Sequence, residues 1–329
     1  MDENIVRVEN LKKYFPVKLG FFETILSRKK MFVRAVDGIS FDVKKKEIFG
    51  LAGESGSGKT TTGRLLIKLI EPTAGKIFFH EKEISKLSER EFKPLRSKLQ
   101  IIFQDPYESL NPRMTIFDIM AEPIRIFGIR DEEEVEKRVY KALEAVQLIP
   151  PEEFFYRYPH ELSGGQRQRV ATGRALILNP EFVVADEPVS MLDVSIRAEV
   201  LNLMYDLRDK YDVTFLYITH DLALARHVCD RIAVMYLGKI METASTDQLV
   251  YEPLHPYTKS LMAAVPVPDP TARRTEVVIK GEIPSPINPP SGCRFQTRCP
   301  EILGEICRKK EPPLINVGKG HFVACHKYT

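Results

Sequence analysis

The sequence predicts an α/β fold in which βαβ units build a parallel sheet and a helical segment is inserted between strands. Three observations lead there. The run Glu47-Ile48-Phe49-Gly50-Leu51-Ala52 leads straight into a glycine-rich loop, so a strand, a tight loop and a helix follow one another. Phe182-Val183-Val184-Ala185 and Val213-Thr214-Phe215-Leu216-Tyr217-Ile218 are nearly continuous β-branched and aromatic runs, the pattern of strands covered on both faces. Between them, Val194, Ala198, Leu201 and Met204 or Tyr205 give a helix one apolar face.

Size and composition agree with this and exclude several alternatives. A chain of 329 residues suggests two compact units or one large unit with an appendage. With 43% hydrophobic and 28% charged residues, wholesale disorder and fibrous structure are excluded. Lys plus Arg number 48 against 45 Asp plus Glu, and the resulting +3 gives no reason to expect a nucleic-acid binder driven by bulk charge. No apolar run reaches the roughly eighteen residues of a membrane span, and Met1-Asp2-Glu3-Asn4 lacks the basic-then-apolar profile of a signal peptide. Neither a membrane span nor export is expected.

Along the chain, the first 80 residues alternate short apolar runs with turn signals. Residues 18–34 read as an insertion. From Asp131 the period changes: Asp131 can cap a helix, Glu134 follows three residues on, and Val135, Val139, Ala142, Leu143 and Val146 recur at helical spacing. Residues 94–180 are therefore expected to be mainly helical. Seven prolines between 265 and 290 favour extended backbone, so this stretch is expected to link the main body to a C-terminal tail. Four of the five cysteines, Cys293, Cys299, Cys307 and Cys325, lie in that tail, and in a reducing compartment such a cluster suggests a metal site more than disulfides.

The chemistry begins at Gly53-Glu54-Ser55-Gly56-Ser57-Gly58-Lys59-Thr60, which matches the phosphate-binding loop pattern. Glycines let successive backbone N–H groups converge on phosphate oxygens, and the helix that continues from Thr61 adds its positive N-terminal end. Lys59 is placed to reach the β- and γ-phosphates, and the Thr60 hydroxyl to ligate Mg²⁺. Downstream, the strand at 182–185 ends in Asp186-Glu187; Asp186 can hold Mg²⁺ through water and Glu187 can polarise an attacking water. Ser163, followed by Gly164, Gly165 and Gln166, makes a second anion-accepting helix start.

Leu162-Ser163-Gly164-Gly165-Gln166, set between the phosphate loop and Asp186-Glu187, resembles the signature motif of ABC-type ATPases, over residues 4–265. The resemblance implies a P-loop NTPase of ABC type with a RecA-like core, an antiparallel β subdomain, a helical subdomain and a small cysteine-rich C-terminal tail. It implies an ATPase domain over 1–264, with the helical subdomain at about 94–180, a proline-rich linker at 265–291 and a metal-cluster tail at 292–329. ATP would be sandwiched head to tail, the Ser163–Gln166 segment of one subunit closing over the γ-phosphate held by the loop of another. By the same resemblance Gln104 contacts Mg²⁺ or water, Asp193 lies in the cross-dimer loop, His220 contacts the γ-phosphate, and Tyr14 stacks on adenine, although Phe15, Phe21, Phe22 and Phe32 lie nearby.

A narrower resemblance, to the ATPase subunits of dipeptide and oligopeptide importers, rests on residues 103–113, Tyr158-Pro159-His160-Glu161-Leu162, Ala185-Asp186-Glu187-Pro188-Val189-Ser190 and His255-Pro256-Tyr257-Thr258. Met191 departs from the alanine usual there. The resemblance implies a second, related ATPase subunit, two membrane permease chains and, indirectly, an extracytoplasmic substrate-binding protein. The chain would lie peripherally on the cytoplasmic face of the membrane, with residues 106–123 forming the groove for a permease helix. Transport of nickel or another small solute, or a regulatory role without transport, are the alternatives. For the four late cysteines, the spacing Cys-x5-Cys-x7-Cys-x17-Cys lacks the tight pairs of a zinc knuckle and leads to an expected [4Fe–4S] cluster, with zinc as the rival and unliganded thiols as the remaining option.

Overall fold

The structure, a computed structural model, describes residues 4–17, 31–264 and 281–329. Most of the expected insertion at 18–34, Phe21 and Phe22 with it, and the expected linker as far as residue 280 lie outside the described residues. The strands are β1 (Asn4–Pro16), β2 (Phe32–Lys44), β3 (Ile48–Ala52), β4 (Ala74–Phe79), β5 (Lys82–Glu83), β6 (Leu99–Ile102), β7 (Phe182–Asp186), β8 (Thr214–Thr219), β9 (Arg231–Tyr236), β10 (Lys239–Ser245), β11 (Ile315–Asn316) and β12 (Phe322–Val323). The chain divides into two compact units, one formed by Lys44–Ile48 and Leu87–Tyr217, the other by Asn4–Val43, Phe49–Lys86 and Ile218–Thr329.

In the first unit β8, β7 and β6 lie side by side, with β6 and β7 parallel and Leu99 opposite Phe182. Every residue of β7 and β8 is buried, which is why these runs carry no polar alternation. The same unit contains the helix expected from the 3.6-residue period, packed against other helices. Asp131 caps α3 (Glu132–Ala145; α1, Lys59–Leu66, and α2, Ile116–Ile126, precede it) by accepting from the Glu133 N–H, and α3 buries Val135, Val139, Ala142 and Leu143. Next come α4 (Gly164–Leu176) and α5 (Val194–Tyr211). In α5 the expected apolar face is displaced: Val194 is 80% exposed and Ala198 is exposed, and burial begins only at Val200, Leu201, Leu203 and Met204. In the first two turns of α5, Ile196 is half-buried beside Gly165 while Val194 and Ala198 face outward, so these last two do not mark the packed face.

The second unit contains two sheets. β2, β1, β4 and β5 form a four-stranded sheet in that order, antiparallel between β1 and β4 and between β4 and β5. The other runs β11, β12, β10, β9, β3; β3 pairs parallel with β9, and β10 antiparallel with β9 and β12. Residues 281–329 therefore extend this unit's sheet by two short strands. The carboxylate of Glu242, fully buried on β10, accepts from the Leu254 and His255 N–H groups at 2.8 and 2.9 Å and pairs with His321 Nε2 at 2.7 Å. Phe295, also fully buried, meets Tyr236 edge-on at 5.3 Å between centroids and Tyr257 at 5.1 Å. An aromatic pair in such geometry contributes about 0.5–1.5 kcal/mol beyond its buried area.

The structure corrects the expected [4Fe–4S] cluster, and zinc as its rival. Among the described residues no group of three or more His, Cys, Asp or Glu is placed to hold a metal ion. Cys293, Cys307 and Cys325 are buried and Cys299 half-buried, and none forms a disulfide. Burial pushes the Cys293 thiol up to about 12 and raises those of Cys299 and Cys325. Spacing along the chain carried the expectation, and it held no information about how deeply the sulfurs sit.

His255, 1% exposed, has its pKa pulled down to about 4 by burial, against a partial lift from Glu242 and Glu301, and its Nδ1 accepts from the Tyr257 N–H at 3.0 Å. The folded state thus prefers the neutral ring. Its contribution is complete above the unfolded value near 6.5 and is lost as pH falls toward 4. The denaturation midpoint should fall across this window, and His255→Gln should flatten that part of the pH profile.

Candidate functional site

In the second unit β3 delivers the chain into the phosphate loop at Gly53. The loop's crown, Ser55 and Gly56, is exposed, while Ser57 and Lys59 are buried beneath it. The Lys59 ammonium donates to the carbonyls of Gly53 at 2.7 Å and Glu54 at 3.0 Å, bending the loop around its own side chain. Gly58, which caps α1, adopts φ +106°, and a Cβ there would lie 2.1 Å from the Ala35 carbonyl oxygen. The Thr62 N–H and hydroxyl both return to the Gly58 carbonyl at 2.9 Å, locking the first turn. No acidic residue occupies that turn, so nothing offsets the positive end of the helix toward an anion. Thr60 and Thr61 lie in the same turn, and both are half-buried.

Four further contacts within this unit were not visible to sequence reasoning. The Glu54 N–H donates to the Tyr257 hydroxyl at 2.9 Å, and the Glu54 carboxylate receives both terminal nitrogens of Arg298, at 2.7 and 3.1 Å. Tyr14, on β1, donates its hydroxyl to Asp37, and Arg294 donates to the same carboxylate. Burial and then the Asp37 hydrogen bond push the Tyr14 hydroxyl up to about 12. Burial alone would raise Asp37, yet the Tyr14 hydrogen bond and the charges of Lys239, Arg294 and Arg34 hold it below its ordinary value. These partners lie up to 257 positions apart in sequence, and no local pattern marks them. His220, just after β8, is exposed, and Asp221 beside it caps the helix at Leu222–Val228.

In the first unit, Gln104 follows β6 and Glu187 follows β7. Because these strands are parallel neighbours, their C-terminal ends bring the two side chains together, and Gln104 Nε2 donates to Glu187 Oε2 at 3.1 Å. Asp186 is 4% exposed at the end of β7, while Glu187 turns outward with φ +47°. A backbone of this kind costs about 1–3 kcal/mol and is retained where its surroundings impose it. The Ser190 hydroxyl and N–H both reach the Glu187 carbonyl, at 3.0 and 3.1 Å, and fix that turn.

Ser163 caps α4 with a reciprocal pair: its hydroxyl accepts from the Gln166 N–H at 3.3 Å, and its N–H donates to the Gln166 side chain at 3.0 Å. Gly165 is required by close approach, since a Cβ there would lie 2.6 Å from the Ile196 side chain on α5. Ser163 itself is exposed. Asp193, at the start of α5, is exposed as well, between Met191 at 64% and Val194 at 80% exposure.

Comparison with known proteins adds to this geometry. The family model for "ABC transporter" matches residues 36–190, and the one for "Oligopeptide/dipeptide transporter, C-terminal region" matches 241–307. The "Oligopeptide transport ATP-binding protein AppF" of Bacillus subtilis is 48% identical over 330 aligned positions, 99% of this chain and 98% of that protein. The chain belongs to the ABC transporter ATP-binding proteins, in their oligopeptide and dipeptide branch. A "Putative peptide import ATP-binding protein" of Brucella ovis is 52% identical over 89% of this chain and 92% of its own length. Among solved structures, this ABC protein is similar to the dimeric ATP-binding cassette MJ0796 bound to ADP and Pi, with TM-score 0.63, 28% identity and coverage of 73% of this chain and 98% of that one. It is likewise similar to cbiO1 of Clostridium perfringens, part of an ABC transporter complex, with TM-score 0.65, 26% identity and coverage of 76% and 92%.

Gly58 gives a direct test of the loop geometry. Because the clashing atom is backbone and φ is positive, Gly58→Ala should destabilise the chain by about 1–3 kcal/mol. Urea denaturation is expected to show that loss, and a fluorescent ATP analogue titrated into the remaining folded protein is expected to bind far more weakly.

Proposed function

We propose that this chain binds and hydrolyses ATP as the power subunit of a membrane ABC importer of oligopeptides or dipeptides, and that nucleotide drives its pairing with a second, related ATPase subunit. The observation that carries the reading is the Gln104–Glu187 pair at the ends of two adjacent parallel strands, in a chain that also presents an exposed phosphate-loop crown.

On this reading Gly53, Ser55, Gly56, Ser57, Gly58, Thr60 and Thr61 surround the phosphates, with backbone N–H groups of the loop and helix start facing them, and the Lys59 ammonium turns from loop carbonyls to β- and γ-phosphate oxygens. Thr60, Gln104 and Asp186 would hold Mg²⁺, which when bound neutralises developing charge on the transferred phosphoryl group. The donors are hard oxygens, as that ion prefers. Glu187, oriented by the Gln104 amide, accepts the proton of the attacking water, a role that typically contributes 10²–10⁴-fold in rate. His220 contacts the γ-phosphate, and Tyr14 offers its ring to adenine.

Ser163, Gly164, Gly165 and Gln166 close over the nucleotide held by the partner subunit. Their helix start has no acidic residue in its first turn and a solvent-exposed serine, which suits a phosphate arriving from outside. Asp193, flanked by exposed Met191 and Val194, supplies the cross-dimer contact beside it. A permease helix fits the open cleft lined by Phe103, Leu110, Pro123, Ile126 and Phe127, where Ile126 is 66% exposed. Two permease chains, and through them an extracytoplasmic substrate-binding protein, complete the assembly on the cytoplasmic face of the membrane. No helix of the described residues is long and apolar enough to cross the membrane, in keeping with separate permease chains. The sequence division into an ATPase domain over 1–264, with its helical subdomain at about 94–180, a linker at 265–291 and a tail at 292–329 stays part of this reading.

Glu187→Gln should reduce steady ATP turnover by about 10²-fold or more while leaving ATP affinity within a few-fold of the parent. Phosphate release and calorimetric titration together check it; undiminished turnover would remove Glu187 from its assigned place.

A further inference from the structure

The phosphate loop carries a negative charge of its own. Glu54 is its second residue, and a carboxylate beside a polyphosphate opposes binding. The structure shows what offsets it: Arg298, 244 positions away, makes a two-nitrogen contact with that carboxylate at 2.7 and 3.1 Å. The arginine side chain is only 8% exposed and that of Glu54 24%, so water screens the pair weakly. The guanidinium also lies over the Tyr236 ring at 5.7 Å and donates to the Tyr236 hydroxyl at 3.4 Å. A guanidinium is charged at every working pH, and the hydrogen bond to Glu54 raises the pKa of Arg298 further.

The arm that presents Arg298 is itself fixed. Three residues earlier Phe295 is fully buried among Tyr236, Tyr257 and His255, and the Arg298 N–H returns to the Phe295 carbonyl at 3.0 Å. Tyr257, in the same cluster, receives the Glu54 N–H. One buried aromatic cluster thus sets the Glu54 backbone and brings a cation to its side chain.

We infer that Arg298 is a positioning residue for ATP: it neutralises Glu54 and holds it away from the phosphates, so that the C-terminal residues set nucleotide affinity in the phosphate loop. This deepens the proposed ATP site and rests on it. A purely structural ion pair predicts a different outcome, because loss of Arg298 would then lower stability and the active fraction while leaving KM for Mg-ATP at its parental value.

Arg298→Gln leaves Glu54 uncompensated beside the incoming triphosphate and is expected to raise KM for Mg-ATP about tenfold or more, with kcat within about twofold. Glu54→Gln combined with Arg298→Gln should return KM to near the parental value. An unchanged KM in Arg298→Gln, or a double variant no better than the single one, overturns the inference. Should Arg298→Gln fail to fold, Glu54→Gln alone decides: it leaves a cation at the loop and is expected to lower KM, whereas an equal or higher KM is contrary. If the parent protein itself neither binds nor hydrolyses ATP, the proposed function fails instead, and the two failures are told apart by that control.

Discussion

The arrangement around the phosphate loop in the second unit depends on that loop being held in one shape, by its own lysine and by two groups from the C-terminal part of the chain. Lys59 grips the loop's own carbonyls from beneath, Tyr257 takes the Glu54 N–H, and Arg298 takes the Glu54 carboxylate. A glycine-rich loop loses more conformational freedom on ordering than any other segment, and each restraint offsets part of that loss before a ligand arrives. The exposed crown is left as the surface on which an anion can land.

The C-terminal residues contribute to this by packing. Adding β12 and β11 beyond β10 covers the edge of the second unit's sheet, while Glu242 bonds to two backbone N–H groups and to His321. Phe295 and its aromatic neighbours fill the space behind the loop. Four cysteines in this region therefore coexist with a core built from aromatic contacts and a buried polar network, and their thiols are buried or half-buried.

Much of the fold was legible because burial on both faces leaves a local mark. The runs at 182–185 and 213–218 became β7 and β8 within a residue or so, and Asp131 began α3 where its spacing indicated. The phosphate loop and the serine-led start of α4 were readable for the same reason: chemistry concentrated in consecutive residues imposes a pattern. Where packing is decided at long range the pattern failed. Val194 and Ala198 have helical spacing but face outward, since period alone does not say which turns of a helix meet a neighbour. The cysteine spacing was read as a metal site although thiol burial is a tertiary property. The Arg298–Glu54 and Arg294–Asp37–Tyr14 contacts joined residues with no local signal at all.

The central claim is that polyphosphate binds the backbone of this pre-shaped loop. Hydrogen–deuterium exchange of the amides at residues 53–62, followed with and without saturating Mg-ATP, tests it most directly. The account expects slowed exchange concentrated in that segment when ATP is present. Unchanged exchange there, in protein that demonstrably holds ATP, would contradict it.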